Sequence, residues 1–182
     1  MIGKRIGNYR VTAQLGEGGM GVVYRAEHPV IGKKVALKVL RPELTANAEA
    51  VKRFIAEARA VNAIGHPNIV DIFDFAELPD GGLYFTMELL AGESLSTRLS
   101  RGRLPVALAL DLATQVATAL QAAHACGIVH RDVKPDNIFL VPRSDGAGPF
   151  VKVVDFGIAK LFGRELRASL RTATGSIFGT PY

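Results

Sequence analysis

The stretch GEGGMGVVYRA, residues 16 to 26, carries three glycines in the spacing G-x-G-x-x-G and then a run of β-branched and aromatic residues. The glycine spacing fits a dinucleotide-binding turn, a hairpin flap over a nucleoside triphosphate, or a plain surface turn. The residues after the last glycine decide between the first two. A dinucleotide turn opens a helix at that glycine and needs an acidic residue about 20 positions further on to hold the ribose. Here Val22, Val23 and Tyr24 continue as a strand, and 17 positions beyond Gly21 stands Lys38 rather than an acid. The glycines therefore join two strands.

Strand patterns extend from that hairpin in both directions. YRVTAQL (9–15), VVYRAEH (22–28), KKVALKVL (33–40), NIVDIFDFAE (68–77) and GLYFTMELL (82–90) are rich in β-branched and aromatic residues and are separated by turn signals. One helix intervenes. From Glu49 to Ile64, apolar Val51, Phe54, Ile55, Ala58 and Val61 recur at helical spacing, and GHPN (65–68) ends the run. The pattern predicts a five-stranded sheet with one main helix. Beyond Gly92 alanine and leucine dominate, and Pro105 and Gly127 bracket a helix over 106–125. Two short strands, NIFLV (137–141) and FVKVV (150–154), flank the loop PRSDGAGP. The tail from Lys160 to Tyr182 is basic, hydroxyl-rich and without period, which reads as a loop.

Composition narrows the classes. The chain has 182 residues, 48% of them hydrophobic, enough for one sizeable folded domain or two small ones. Asp111, Thr114, Gln115 and Thr118 interrupt its longest apolar run, so no membrane-spanning segment is expected, and the N-terminus lacks the apolar core of a secretory signal. Cys126 is the single cysteine, which excludes an internal disulfide and suits the cytoplasm. The four histidines show no zinc spacing. The net charge of +5 is scattered rather than gathered into a basic, aromatic stretch, so nucleic acid is not an expected partner.

The chemistry concentrates in a few polar residues inside apolar patterns. In VALKVL, alternation sets Ala36, Lys38 and Leu40 on one face and strands a lysine in an apolar strand, where it either guards a sheet edge or, as the apolar flanks favour, holds a phosphate. Ala36 leaves room for a flat base, and Val23 could press on it from above. Glu57 falls on the core-facing stripe of its helix, so a Lys38 to Glu57 ion pair is expected, because a buried charge left alone is costly. In HRDVKPDN (130–137), Pro135 keeps Asp132, Lys134 and Asn137 in a loop. Asn137 begins one strand of a hairpin and Asp155 ends the other, so both oxygen donors converge at one end, suited to Mg²⁺ carried by a nucleotide. Asp132 is placed to accept a proton from an incoming hydroxyl, and Lys134 to neutralise a phosphoryl group.

GEGGMGVV, VALK, Glu57, HRDVKPDN, DFG (155–157) and GTPY (179–182) together resemble the eukaryotic-type protein kinases, in phrasing most like the bacterial serine/threonine kinases. The resemblance runs from Tyr9 to the last residue. It implies an α+β bilobal fold, with an antiparallel five-stranded N-lobe over 1–90 and a partial, mostly helical C-lobe over 91–182. It implies ATP and Mg²⁺ as cofactors. Lys38, held by Glu57, would bind phosphates beneath Leu15, Gly16, Glu17, Gly18, Gly19, Met20 and Gly21. Val23, Ala36, Met87 as gatekeeper, Phe139, and the backbones of Glu88 and Leu90 would receive the adenine. Asn137 and Asp155 would hold the metal, Asp132 would be the catalytic base, and Lys134 would pair with Thr180. Val61, Ile72, His130 and Phe156 resemble the internal stack that couples the lobes. Arg131 implies control by a phosphate on the loop, with Thr172, Thr174 and Ser176 as acceptors. The implied partners are proteins offering serine or threonine, and a second copy during autophosphorylation. The alternative is a kinase-like binding or regulatory module without catalysis.

Overall fold

The glycine hairpin is the first turn of a sheet. In this computed structural model, which describes residues 1–45, 48–146 and 148–156, β1 (Arg5–Ile6), β2 (Tyr9–Gly18), β3 (Gly21–Glu27) and β4 (Lys34–Leu40) succeed one another antiparallel. Gly18 lies opposite Gly21, leaving Gly19 and Met20 as the turn. Helices α1 (Pro42–Thr45) and α2 (Ala48–Ile64) come next, then β5 (Ile72–Glu77) and β6 (Leu83–Glu88). The six strands form one antiparallel sheet in the order β1-β2-β3-β4-β6-β5.

Six strands replace the expected five. β1 is two residues long, too short to carry an alternating pattern, and it forms because Gly7, at φ 54°, turns the chain back so that Ile6 meets Tyr9. The second half begins with β7 (Glu93–Ser94), α3 (Leu95–Ser100) and α4 (Val106–Ala125), and continues through a 3-10 turn at Pro135–Asn137 to β8 (Ile138–Val141) and β9 (Phe150–Val153). The last two strands join β7 in a second, three-stranded sheet. α1, β7 and α3 carry no sequence period because each is so short. α3 is instead begun by a cap, the Ser94 hydroxyl accepting the Thr97 N–H at 3.1 Å.

The alternation in β4 separates two cores. Val35 and Leu37 join Val11, Tyr24, Ala26 and Tyr84 on one side of the sheet. Leu40 joins Phe54, Leu83 and Phe85 on the other, beneath α2. A third cluster joins Leu112, Ala119 and Ala123 of α4 to Ile138, Leu140, Val151 and Val153, and Val61 reaches it from α2. One helix therefore packs on both halves.

By length and mean hydropathy α4 meets the test for a bilayer-spanning helix. One of its polar residues, Gln115, bonds to the segment that carries the second sheet. Gln115 donates to Pro149 O at 3.2 Å and accepts from Val151 N–H at 2.8 Å and from Asn68 Nδ2 at 3.3 Å.

Only one glycine of the hairpin is demanded by packing. A Cβ at Gly21 would stand 1.9 Å from Val39 O, whereas one at Gly16, Gly18 or Gly19 would meet nothing within 4 Å. Gly21→Ala should lower unfolding free energy by roughly 2 kcal/mol or more in chemical denaturation, while Gly16→Ala and Gly19→Ala stay within about 0.5 kcal/mol of the parent.

Candidate active site

A cleft of about 250 Å³ opens between the two sheets. Leu15, Gly16, Val23, Ala36, Lys38, Met87 and Glu88 line it from the large sheet, Leu90 from the connection between the halves, Phe139 from the small sheet, and Asp155 from just beyond β9. All of these are residues expected at a nucleotide site. Val70, Asp136 and Val154 also line the cleft, without having been expected there. Val70 and Val154 look like any valine in a strand. Asp136 stands inside HRDVKPDN, where its neighbours Asp132 and Asn137 carry the more evident chemistry.

Glu17, Gly18, Gly19, Met20 and Gly21 are not among the cleft-lining residues. Met20 packs on the cluster of Leu40, Phe54 and Phe85. Glu17 pairs with Arg41 at 3.1 Å, and Arg41 Nε donates to Gly18 O at 3.3 Å.

Lys38, 6% exposed at its side chain, donates to both oxygens of Asp155 at 2.8 and 2.9 Å. Asp155 takes φ 57°, in the left-handed region that non-glycine residues rarely occupy. That turn at the end of β9 aims both oxygens at the ammonium. The expected Lys38 to Glu57 pair is therefore absent: Asp155 satisfies the lysine, and Glu57 Oε1 accepts from Arg131 Nη1 at 3.4 Å. The other oxygen, Glu57 Oε2, is buried with no hydrogen-bond partner among the described residues. Burial pushes the Glu57 carboxyl up, and the nearby Arg131 charge only partly opposes it.

Asp132 sits in a tight polar group. Lys134 Nζ lies 2.9 Å from Asp132 Oδ2, and Asn137 Nδ2 donates to Asp132 Oδ2 at 3.0 Å and to its backbone oxygen at 2.9 Å. Partial burial raises the Asp132 pKa, but Lys134, Asn137 and His130 together outweigh it and hold the carboxyl below its ordinary value. The hydrogen bond to Asp132 in turn raises Lys134. Asn137 and Asp155 flank the same end of the β8–β9 ladder, where Ile138 faces Val153 and Val154 N–H donates to Asn137 O at 2.9 Å. Their side chains diverge in this arrangement, Asn137 towards Asp132 and Asp155 towards Lys38. Thr180, Thr172, Thr174, Ser176, Gly157 and the GTPY segment lie outside the described residues.

His130 carries the loop. It is 1% exposed, its Nε2 donates to Val154 O at 3.0 Å, and its Nδ1 accepts the Asp132 N–H at 3.3 Å. Only the neutral ring can do both. Burial lowers its pKa more than the Val154 carbonyl and the nearby acids raise it. The ring packs against Phe156 at a tilt, centroids 4.5 Å apart, and Phe156, Val61 and Ile72 line one small cavity. Arg131, next in the chain, takes φ 63°.

Residues 9–182 match the protein kinase domain family, and the chain belongs to it. It is 52% identical over 181 residues to the serine/threonine-protein kinase Pkn1 of Myxococcus xanthus, covering 100% of this chain and 25% of that one. It is 42% identical over 179 residues to PknA of Mycobacterium tuberculosis, covering 96% of this chain and 39% of that one. The crystal structure of the Mycobacterium tuberculosis PknI kinase domain superposes with a TM-score of 0.74 at 35% identity, over 87% of this chain and 63% of that domain. The bilobal α+β kinase fold is thereby established, and the chain spans only a minor part of these larger curated relatives.

His130 also sets a pH dependence. With its folded-state pKa below the ordinary 6.5, the unfolded chain takes up a proton near pH 6.5 that the folded chain refuses. Its contribution to stability is therefore complete above pH 6.5 and is lost as pH falls towards the folded value, by up to about 1.4 kcal/mol per pH unit. Glu57, raised above 4.5, has the opposite sign lower in the range, and Asp132 acts only below 3.8. Chemical denaturation at pH 7.5, 6.5 and 5.5 should show falling stability, with a flatter profile for His130→Gln. An equal slope in that variant would remove His130 as the cause.

Proposed function

We propose that this chain is the catalytic segment of an ATP-dependent serine/threonine protein kinase. The observation that carries the reading is the junction of a largely apolar cleft with two polar centres, Lys38–Asp155 and Asp132–Lys134–Asn137. The apolar walls at Val23, Ala36, Met87 and Phe139 suit a purine. The kinase names of the relatives support the same substrate class.

In this reading Lys38 neutralises phosphate oxygens of ATP. The hydroxyl oxygen of a serine or threonine attacks the γ-phosphorus, ADP leaves, and the hydroxyl proton passes to Asp132. The depressed pKa keeps Asp132 ionised and able to accept it. Lys134, bonded to the same carboxylate, compensates the charge on the transferred group. The donor types of Asn137 and Asp155, a carboxamide and a carboxylate, fit Mg²⁺, and among the described residues no group of three or more acidic, histidine or cysteine side chains is arranged to hold a metal by itself. Such a cation would draw its remaining oxygens from the nucleotide and water, and would offset charge on the phosphates. Catalysis then rests on positioning and electrostatics rather than a covalent enzyme intermediate.

The proposal includes a cytoplasmic site of action, protein rather than nucleic-acid partners, and no membrane contact by this segment. It also includes self-association during autophosphorylation. The scattered basic charge supports protein over nucleic-acid partners, the lone Cys126 the cytoplasmic site, and the anchoring of α4 by Gln115 the absence of membrane contact, while self-association follows only from the proposed autophosphorylation.

In the full-length protein, Asp132→Asn should cut phosphate transfer to a generic protein substrate by at least about 100-fold while ATP affinity changes less than about twofold. Retained transfer would remove Asp132 from the reaction. Mass spectrometry of an active preparation incubated with ATP should find phosphate on Thr172, Thr174 or Ser176, and none in the Asp132→Asn protein. Unmodified loop peptides from the active preparation would exclude autophosphorylation there.

A further inference from the structure

Arg41 comes directly after β4 and holds the glycine hairpin at three points. Its backbone N–H donates to Met20 O at 3.0 Å, its Nε to Gly18 O at 3.3 Å, and its Nη2 to Glu17 Oε1 at 3.1 Å. From the other side Met20 is packed on the Leu40 cluster, and Gly21 closes against Val39 O. The turn is thus fastened to the end of β4 both by apolar packing and by one cationic side chain.

The oddity is Glu17, an acid within a loop that borders the cleft. If that loop faces phosphates, a free Glu17 carboxylate and the Gly18 carbonyl are both negative poles directed at a polyanion. Arg41 binds both. We propose that Arg41 is a positioning residue for nucleotide binding, which holds the Glu17 carboxylate and the Gly18 carbonyl away from the phosphates. This inference rests on the assignment of the cleft to ATP and phosphoryl transfer. The pair is 47% and 55% exposed, so its worth to folding is small. What it changes is the direction and net charge of the loop.

The test uses the full chain, titrated with ATP and separately with adenosine, at about 50 mM and about 500 mM salt. Arg41→Met should weaken ATP binding about fivefold at low salt, with the deficit shrinking at high salt. Adenosine, which has no phosphate, should bind Arg41→Met and the parent alike, and that also verifies that the variant is folded. Adding Glu17→Gln to Arg41→Met should recover most of the loss, because the repelling charge is then gone. A packing role alone would give neither the salt dependence nor the recovery. ATP binding unchanged in Arg41→Met, an equal loss for adenosine, or no recovery in the double variant would each overturn the role of Arg41 and leave the kinase reading standing. A parent chain that binds adenosine and ATP equally weakly would overturn both.

Discussion

Lys38 and Asp155 are 117 positions apart in the chain, and their ion pair ties the large sheet to the small one at the inner end of the cleft. A lysine at 6% exposure is tolerable only with a partner, since removing one member of a buried pair costs roughly 3 to 5 kcal/mol. The pair constrains its surroundings in turn. Asp155 must leave β9 in a left-handed conformation to reach the lysine, and that turn directs Phe156 into the lower core, where it is 2% exposed against His130. His130 then fixes the Asp132 amide. One charge pair thereby sets the positions of most of the polar residues in the site.

Glu57 bears the converse of that arrangement. With Lys38 taken by Asp155, the helix acid turns to Arg131, and one of its oxygens stays buried without a hydrogen-bond partner among the described residues. An orphan oxygen of this kind is destabilising, by about 1 to 3 kcal/mol for a typical buried polar group. The raised pKa of Glu57 has the same origin. Arg131 is held in an uncommon backbone conformation while it reaches from the Asp132 loop to Glu57 on α2.

The sequence is most legible where polar residues interrupt a strong period. Lys38 in an apolar strand, Asn137 and Asp155 at the matching ends of a hairpin, and glycines leading into a strand rather than a helix all carry their geometry in local spacing. The partner of Lys38 does not. A helix stripe identifies Glu57 as inward-facing, but the choice between two acids depends on the backbone turn at Asp155, which no period encodes. Arg41 escapes notice for a related reason, since a lone arginine after a strand looks like ordinary solvated charge. β1, β7 and α3 are invisible because two to six residues cannot display a period. Val70 and Val154 are hidden because a cleft wall and a core wall use the same residue.

The segment from Asn68 to Val70 has a wider consequence. It lies next to α2 in the chain, yet Asn68 O accepts the Val153 N–H at 2.7 Å, Val70 N–H donates to Val153 O at 3.1 Å, and Asn68 Nδ2 reaches Val151 O at 2.7 Å. This piece is therefore a lodger of the lower sheet. A few residues on, the chain re-enters the upper sheet as β5, and Lys152 on β9 grips Glu88 at 2.6 Å where β6 ends. The halves are thus joined by this backbone segment and by the Lys152–Glu88 pair as well as by Lys38–Asp155 and Glu57–Arg131. Separating the halves therefore means breaking backbone hydrogen bonds as well as ion pairs, and salt, which screens the ion pairs, leaves the backbone part of the joint in place.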